Sequence, residues 1–157
     1  MAASVNDLRT GWTRFKDLPG GPWLFSRLFG FAIPYSGSVR PRILVLQPGR
    51  AVIAMGDRRA VRNHLASIHA IALANLAEMT TGLALGYGLP EGMRTILVRV
   101  ECEFLKKARG TITAACDAPV FPGVVEKEVL VESVLTNEAG DVVAKGRAVW
   151  LAGPVKA

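Results

Sequence analysis

The stretch from Arg62 to Leu85 constrains this chain more than any other, because it is almost wholly apolar and is long enough to form one continuous helix. An apolar helix is normally a buried helix. This one nevertheless carries a carboxylate, Glu78, near its middle. Burying a carboxylate raises the free energy of the folded state unless another group pairs with it or uses it. Glu78 is therefore the first candidate functional residue.

The bulk composition indicates one globular domain with a basic surface. Half of the 157 residues are hydrophobic and a fifth are charged, which suits a single domain with a core. No apolar run reaches about 18 uninterrupted residues and no signal peptide is evident, so we expect no membrane span and a cytoplasmic location. The net charge of +6 favours an anionic partner. No recognisable nucleic-acid-binding motif accompanies that charge, so we expect no nucleic acid.

The two cysteines, Cys102 and Cys116, predict buried and reduced thiols. Both fall in predicted strands that we expect to be neighbours, which could bring them close together. Their spacing makes no zinc signature, and we expect no metal site.

The first 35 residues predict a helical extension. Apolar residues recur at helical spacing on both sides of a Pro-Gly break at residues 19–22, which indicates two helices. The expected apolar faces are Val5, Leu8, Trp12, Phe15 and Leu18 in the first helix and Trp23, Leu24, Leu28 and Phe31, with Arg27 beside them, in the second. These helices are expected to cover a sheet edge or the mouth of a substrate tunnel. Docking to a membrane surface is a weaker alternative.

The rest of the chain predicts an α+β core over residues 38–152, in a single domain spanning 1–157. Strand patterns cover 39–46, 50–56, 95–105, 110–118, 123–137 and 142–151, with the long helix from about 68 to 85 after the second strand. An antiparallel sheet must wrap around one apolar helix in order to bury it. One sheet covers only part of a helix, so we expect a second copy to cover the rest, giving a homodimer or a dimer of dimers.

Helix geometry limits how the polar residues can meet. His69 and Glu78 are nine residues apart, about 13 Å along the axis and roughly half a turn out of phase, so they cannot form a dyad within one helix. Asn75, Glu78 and Gly82 share one face. Gly82 is expected to leave open space beside Glu78 for a substrate group, and Thr81 could donate a hydrogen bond to the carboxylate.

The pattern Asn63-His64, then His69-Ala70 and Leu76-Ala77-Glu78, resembles the hotdog-fold acyl-CoA thioesterases of the phenylacetate-pathway type. It is most similar to a branch of that superfamily known only as a domain of unknown function, DUF4442. The segment from Phe104 to Gly110 is also similar to a turn that follows the first strand after the helix in these proteins. The resemblance implies a hotdog fold, in which a curved antiparallel sheet of about six strands wraps one central helix.

The resemblance also implies roles for individual residues. Glu78 would act as general base or nucleophile in the hydrolysis of an acyl-CoA thioester. Asn63 and the Ala70 backbone N–H would polarise the thioester carbonyl from the opposite subunit, and His69 would position the loop that holds them. This chain has His69-Ala70-Ile71 where the family commonly has His-Gly-Gly, and Glu78 where Asp is commoner.

Substrate-binding residues complete the hypothesis. Coenzyme A carries phosphates, which basic residues beside the site would meet. The candidates for substrate contact are Arg62, Ala70, Asn75, Thr81, Gly82, Lys106, Lys107 and Arg109. No separate cofactor is expected, because coenzyme A belongs to the substrate.

Other functions remain open at this point. A structural carboxylate paired with an arginine, or with Asn75 and Thr81, would also explain Glu78. A non-catalytic acyl-CoA or fatty-acid binder, or an interaction module built on the same dimer, would share the fold. A hydratase is a weaker possibility, because its usual Asp and His pair is absent from these motifs.

Overall fold

The long apolar run forms helix α4, Ala70–Tyr87, and all six strands of the chain's sheet contact it. The structure is a computed structural model and describes residues 5–155. Before α4 come α1 (Val5–Phe15), α2 (Gly21–Ala32), α3 (Pro34–Gly37), β1 (Arg42–Gln47), β2 (Arg50–Met55) and a 3₁₀ turn (Arg59–Val61). After α4 come β3 (Met93–Phe104), β4 (Ile112–Asp117), β5 (Lys127–Thr136) and β6 (Val142–Pro154). No helix in the described part of the chain is long and apolar enough to cross a membrane.

Helix α4 is buried on nearly every side, as its composition predicts. From Leu73 to Tyr87, each residue is buried except Ala74, Glu78 and Gly82. These three are spaced four residues apart, so they form one narrow stripe along the helix. Ile71, one turn before Ala74, extends the stripe and is exposed. We call Ile71, Ala74, Glu78 and Gly82 the open stripe. Each of the four residues is at least partly exposed.

The sheet is antiparallel, with strand order β1-β2-β4-β5-β6-β3. The predicted hairpin between β1 and β2 is present, and Gly49 turns it with a φ of 75°, which a glycine adopts at little cost. The expectation that the two cysteine-bearing strands are neighbours is wrong, because β5 and β6 lie between β4 and β3. Cys102 and Cys116 are both free thiols. Burial raises the pKa of Cys116 to about 12.

The two edges of the sheet differ. Edge strand β1 has six residues and packs against α2, where the Ser26 hydroxyl accepts a hydrogen bond from the Ile43 N–H at 2.8 Å. Edge strand β3 has twelve residues, and no described strand pairs with its outer side. It also exposes large apolar side chains, namely those of Ile96, Val98, Val100 and Phe104. A long, unpaired, apolar edge is a template for pairing with another strand.

The N-terminal helices form as predicted, but α2 presents a different face to the core than we expected. Phe25 and Phe29 are buried, and the Phe25 ring meets Trp12 of α1 edge to face at 5.3 Å. The predicted apolar face instead points outward, and its large members Trp23, Leu24, Leu28 and Phe31 are exposed. Both faces of α2 are apolar, so contact with β1 rather than polarity decides which one is buried.

Candidate active site

The N-terminus of α4 is capped by His69. The His69 Nδ1 atom accepts a hydrogen bond from the Ile71 N–H at 3.1 Å, which requires this nitrogen to be unprotonated. The His69 N–H donates to the Val61 carbonyl at 2.7 Å, which fixes the entry of the chain into the helix. Ala70 follows as the first helical residue, and its N–H has no acceptor within residues 5–155. A free N–H at this end of a helix is suited to bind an oxyanion or a polarised carbonyl.

Asn63 organises the loop that precedes the helix. Its Oδ1 atom accepts from the N–H groups of Leu65 at 2.9 Å and Ser67 at 3.3 Å, and from the Ser67 hydroxyl at 3.1 Å. Arg109 Nε donates to the Ala66 carbonyl at 3.3 Å from outside the loop. The Asn63 Nδ2 group has no acceptor among the described residues. The carbonyl half of this side chain therefore holds the loop, while the amide half remains able to donate.

Asn63 and Ala70 line the same open cleft, with a volume of about 270 Å³. We call it the helix-start cleft. Its apolar lining includes Ile68, Leu73, Phe104 and Leu105, and Lys106 and Lys107 also line it. The structure thus brings together four of the residues that the sequence predicted for the site: Asn63, Ala70, Lys106 and Lys107.

The two lysines of the cleft differ in their availability. Lys106 Nζ forms an ion pair with Asp141 Oδ1 at 2.7 Å, and the Lys106 side chain is exposed. Lys107 has no carboxylate partner within the described chain. Lys107 is therefore the better candidate to meet an anionic group that enters the cleft.

Glu78 lies on the open stripe, away from the helix-start cleft. It is eight residues after Ala70, which is about 12 Å along a helix axis. The carboxylate is half-buried and has no ion-pair or hydrogen-bond partner among residues 5–155. Burial raises the pKa of the Glu78 carboxyl above its usual range. The alternative of a paired structural carboxylate therefore has no support within the described part of one chain.

Thr81 does not donate to the Glu78 carboxylate, contrary to our expectation. Its hydroxyl donates to the Glu78 main-chain carbonyl at 2.7 Å and accepts from the Trp150 indole N–H at 3.1 Å. A threonine inside a helix commonly satisfies its hydroxyl on a carbonyl of the preceding turn. Thr81 is fully buried and acts as a link between α4 and β6.

The expectation of open space at Gly82 is also wrong. A Cβ atom at this position would lie 2.9 Å from two atoms of the Trp150 ring. Gly82 is therefore required by the close packing of the indole, and the Trp150 ring packs against α4 about one turn after Glu78. The sequence analysis missed Trp150. A glycine inside a long apolar helix was the available signal, because it often marks the close approach of a large group.

Asn75, His69 and Arg62 line a second cleft of about 230 Å³ on the other side of the helix start. The Asn75 amide donates to the Tyr35 carbonyl at 3.2 Å, so the side chain is buried beneath α3 instead of joining Glu78 on the open stripe. His69 is thus separated from the cleft that Asn63 lines. Its contribution to that cleft is indirect, through the orientation of the Ala70 N–H.

Arg62 is held in place by Asp57, a residue that the sequence analysis did not single out. Arg62 Nε lies 2.6 Å from Asp57 Oδ1, and Asp57 Oδ2 accepts from the Gly110 N–H at 3.3 Å. The hydrogen bond from Arg62 holds the pKa of Asp57 below its usual range. This network ties the turn before α4 to the turn before β4. Arg62 and Arg109 therefore brace the loop that carries Asn63.

Three solved structures of other proteins share this architecture. A structural-genomics crystal structure is 27% identical, with a TM-score of 0.82 over 94% of this chain and 99% of that one. A Pseudomonas aeruginosa protein of unknown function, described as a probable thioesterase, is 24% identical, with a TM-score of 0.76 over 88% and 97%. A thioesterase family protein from Silicibacter pomeroyi is 20% identical, with a TM-score of 0.71 over 83% and 96%. No curated protein matches the sequence.

The fold is therefore the hotdog fold, as the sequence motifs implied. A family model for a domain of unknown function, DUF4442, matches residues 21–151. The chain belongs to this family. The match begins at the first residue of α2, so α2 and α3 fall within the family's domain.

Proposed function

We propose that this protein hydrolyses an acyl-CoA thioester to a free acid and coenzyme A. The observation that carries the proposal is the half-buried Glu78 carboxylate. It has no partner within the described residues, and burial raises its pKa. A carboxylate in this condition can accept a proton at a pH closer to neutrality than a hydrated one. The names of the Pseudomonas aeruginosa and Silicibacter pomeroyi proteins are consistent with thioester chemistry.

The helix-start cleft supports the other half of the reaction. The Ala70 N–H and the Asn63 Nδ2 group both belong to residues that line it, and neither has an acceptor in the described chain. Two such donors would stabilise the negative charge that develops on a thioester oxygen as its carbonyl carbon becomes tetrahedral. Lys107 would bind a phosphate of the coenzyme A portion.

The proposal includes a homodimer. Within one chain, Glu78 lies about 12 Å along the helix axis from Ala70 in the helix-start cleft, which is too far for both to act on one thioester group. The bare edge of β3 supports pairing with the β3 strand of a second copy. Such a pair would also cover the open stripe. Glu78 of one copy would then complete the cleft of the other, so that each site takes residues from both copies. Association of two dimers and a cytoplasmic location remain predictions.

The proposed hydrolysis uses only water and the residues of the site. A water molecule attacks the thioester carbonyl carbon, and Glu78 accepts a proton from that water. The oxyanion is held by the Ala70 N–H and the Asn63 amide. The carbon–sulfur bond then breaks, and the proton held by Glu78 passes to the departing thiolate. If Glu78 attacked the carbonyl directly, the same two donors would be needed.

The test is a thiol-release assay over short, long, branched and aryl acyl-CoA substrates. We expect turnover of at least one class by the wild type and a loss of turnover by Glu78→Gln and Asn63→Ala. Glu128→Gln is the matched control, because Glu128 is an exposed glutamate of β5 outside both clefts. Saturable binding of acyl-CoA without thiol release from any substrate would instead support the non-catalytic binding function. No binding and no turnover would refute both.

A further inference from the structure

An open depression beside α2 combines positive charge with aromatic surface. It has a volume of about 480 Å³ and is lined by Trp23 and Phe31 together with Arg27, Arg40 and Arg42. None of the three arginines has a carboxylate partner among the side chains that the structure describes. The depression is distinct from both clefts at the start of α4, and the proposed reaction makes no use of it.

The sequence around this depression leaves its charge unneutralised. Between Leu18 and Gly56 the chain contains four arginines and no aspartate or glutamate. The fourth arginine, Arg50, pairs with Asp117 at 2.7 Å on another part of the sheet. The face that carries Arg27, Arg40 and Arg42 is therefore positive, and a negatively charged surface would be attracted to it.

The same face is unusually apolar. Trp23, Leu24, Arg27, Leu28 and Phe31 all point outward from α2, and we call these five residues the outer face of α2. The Trp23 and Phe31 side chains are 62% and 87% exposed. Exposed hydrophobic residues scattered singly need no explanation, but a contiguous group of large ones marks an interaction surface.

We propose that the outer face of α2 docks on the surface of a bilayer that contains anionic phospholipids. Trp23, Leu24, Leu28 and Phe31 would enter the boundary between head groups and acyl chains, where aromatic and leucine side chains of interfacial helices lie. Arg27, Arg40 and Arg42 would bind lipid phosphates, which guanidinium groups contact in a bidentate manner. Docking of this kind requires no membrane span. It does not depend on the proposed thioesterase activity.

Charge complementarity favours a membrane over a second copy of the chain as the occupant. A two-fold contact between copies would bring the same surface patch of each into contact. Each copy would then present the same three arginines, and no carboxylate from the segment around them could neutralise the charge. An anionic bilayer supplies both the opposite charge and the apolar layer that this face lacks.

Tryptophan fluorescence gives a direct test. The chain has three tryptophans, of which Trp12 and Trp150 are only 4% and 6% exposed. A change in emission on adding vesicles therefore reports on Trp23. With phosphatidylcholine vesicles containing phosphatidylglycerol, we expect a blue shift, protection from acrylamide quenching and co-sedimentation that weakens as salt is raised. With phosphatidylcholine alone, binding should be much weaker.

Matched variants distinguish binding by the outer face of α2 from attraction caused by the net charge of the protein. Arg27→Gln with Arg42→Gln should weaken binding to anionic vesicles about 25-fold, roughly fivefold for each arginine near the surface. Lys127→Gln with Lys145→Gln lowers the net charge equally, but these residues lie on β5 and β6 and should leave binding almost unchanged. Trp23→Ala with Phe31→Ala should weaken binding to both kinds of vesicle, whereas Leu130→Ala, an exposed apolar residue of β5, should not.

Three results would overturn the docking proposal. The first is an unchanged Trp23 emission with anionic vesicles. The second is an equal loss of binding in the two pairs of charge variants, which would indicate non-specific attraction. The third is a fall in oligomer size caused by Trp23→Ala with Phe31→Ala, which would assign the face to contact between copies. Thiol release is also measured for these variants in vesicle-free solution. This measurement distinguishes a failure of docking from a failure of the proposed activity.

Discussion

The start of α4 and its open stripe belong to one helix but are built in opposite ways. At the start, Asn63, His69, Asp57 and Arg62 satisfy one another or the backbone, and only selected donors remain free. On the stripe, Glu78 has no polar partner within the described chain. This contrast is what the proposed shared site requires, in which one chain completes one half of the site and a second copy supplies the other half. The bare edge of β3 is consistent with this interpretation.

Removing the Glu78 carboxylate is the change with the largest expected effect. Glu78→Gln should lower kcat by about 10² to 10⁴, the usual contribution of a general base, while Glu128→Gln should not. The rate of the wild type should rise with pH through the raised pKa of Glu78. Measurement of kcat against pH for the three proteins checks this. An unchanged kcat in Glu78→Gln would show that the stripe plays no part in the chemistry.

Glu78→Gln should lower activity but should raise the stability of the protein at neutral pH. An acid whose pKa is raised by folding destabilises the native state progressively as pH rises from its unfolded pKa to its folded pKa, because the unfolded chain loses the proton first. Glu78→Gln should therefore be more stable than the wild type at neutral pH and equally stable at low pH. Urea unfolding at both pH values measures this. A loss of stability at neutral pH would reveal a partner for the carboxylate.

Asn63→Asp separates the two halves of the Asn63 side chain. The carboxylate can still accept the hydrogen bonds from Leu65 and Ser67 that hold the loop, but it cannot donate to a substrate oxygen. We expect kcat to fall about 10² to 10³, as when one oxyanion donor is removed, with little change in the melting temperature. Ser67→Ala loses one loop hydrogen bond but retains the amide donor, so it should lose far less activity. The opposite ranking would make Asn63 a purely structural residue.

The two sheet edges allow a matched test of assembly. Val98→Lys places a charge on the bare edge of β3, where Val98 is 51% exposed, and Leu44→Lys places one on the covered edge, where Leu44 is 48% exposed. We expect Val98→Lys to shift the protein toward monomer and to lower thiol release in proportion, because like charges would face each other across the paired strands. Analytical ultracentrifugation of both variants gives the masses. A monomeric wild type would contradict the shared site.

The smallest effects are expected for the stability changes caused by substituting two glycines of α4. Gly82→Ala must displace the Trp150 ring and should cost about 1 to 3 kcal/mol of stability. Gly86→Ala meets only the Thr95 hydroxyl at 4.0 Å and should stabilise the protein by about 0.5 to 1 kcal/mol, because alanine favours helix. Thermal unfolding measures both. If Gly82→Ala were neutral, space beside Glu78 would be open after all.

Much of the fold follows from local pattern. The apolar run predicted α4 within two residues at each end, and the alternation after it predicted the four later strands. The order of the strands was not predictable in this way, and the expectation that the two cysteine-bearing strands are neighbours is wrong. Strand order depends on which long-range pairings bury the most apolar surface, and a single sequence does not display those pairings.

The arrangement of the candidate site was predictable to a lesser degree, for identifiable reasons. Spacing and resemblance selected Asn63, Ala70 and Glu78, but the partners of Thr81 and Gly82 depend on Trp150, which is more than 60 residues further along the chain. The buried face of α2 could not be chosen from its sequence, because apolar residues lie on both sides of that helix. Contacts that cross between distant elements decided each of these points.

Mixing two inactive variants tests the central claim most directly. Glu78→Gln and Asn63→Ala would be purified separately, unfolded, combined in equal amounts and refolded. If each site takes Glu78 from one copy and Asn63 from the other, random pairing makes half of the dimers mixed, and each mixed dimer holds one intact site, so thiol release should return to about a quarter of the wild-type rate. If both residues serve from the same chain, the mixture should remain as inactive as its components.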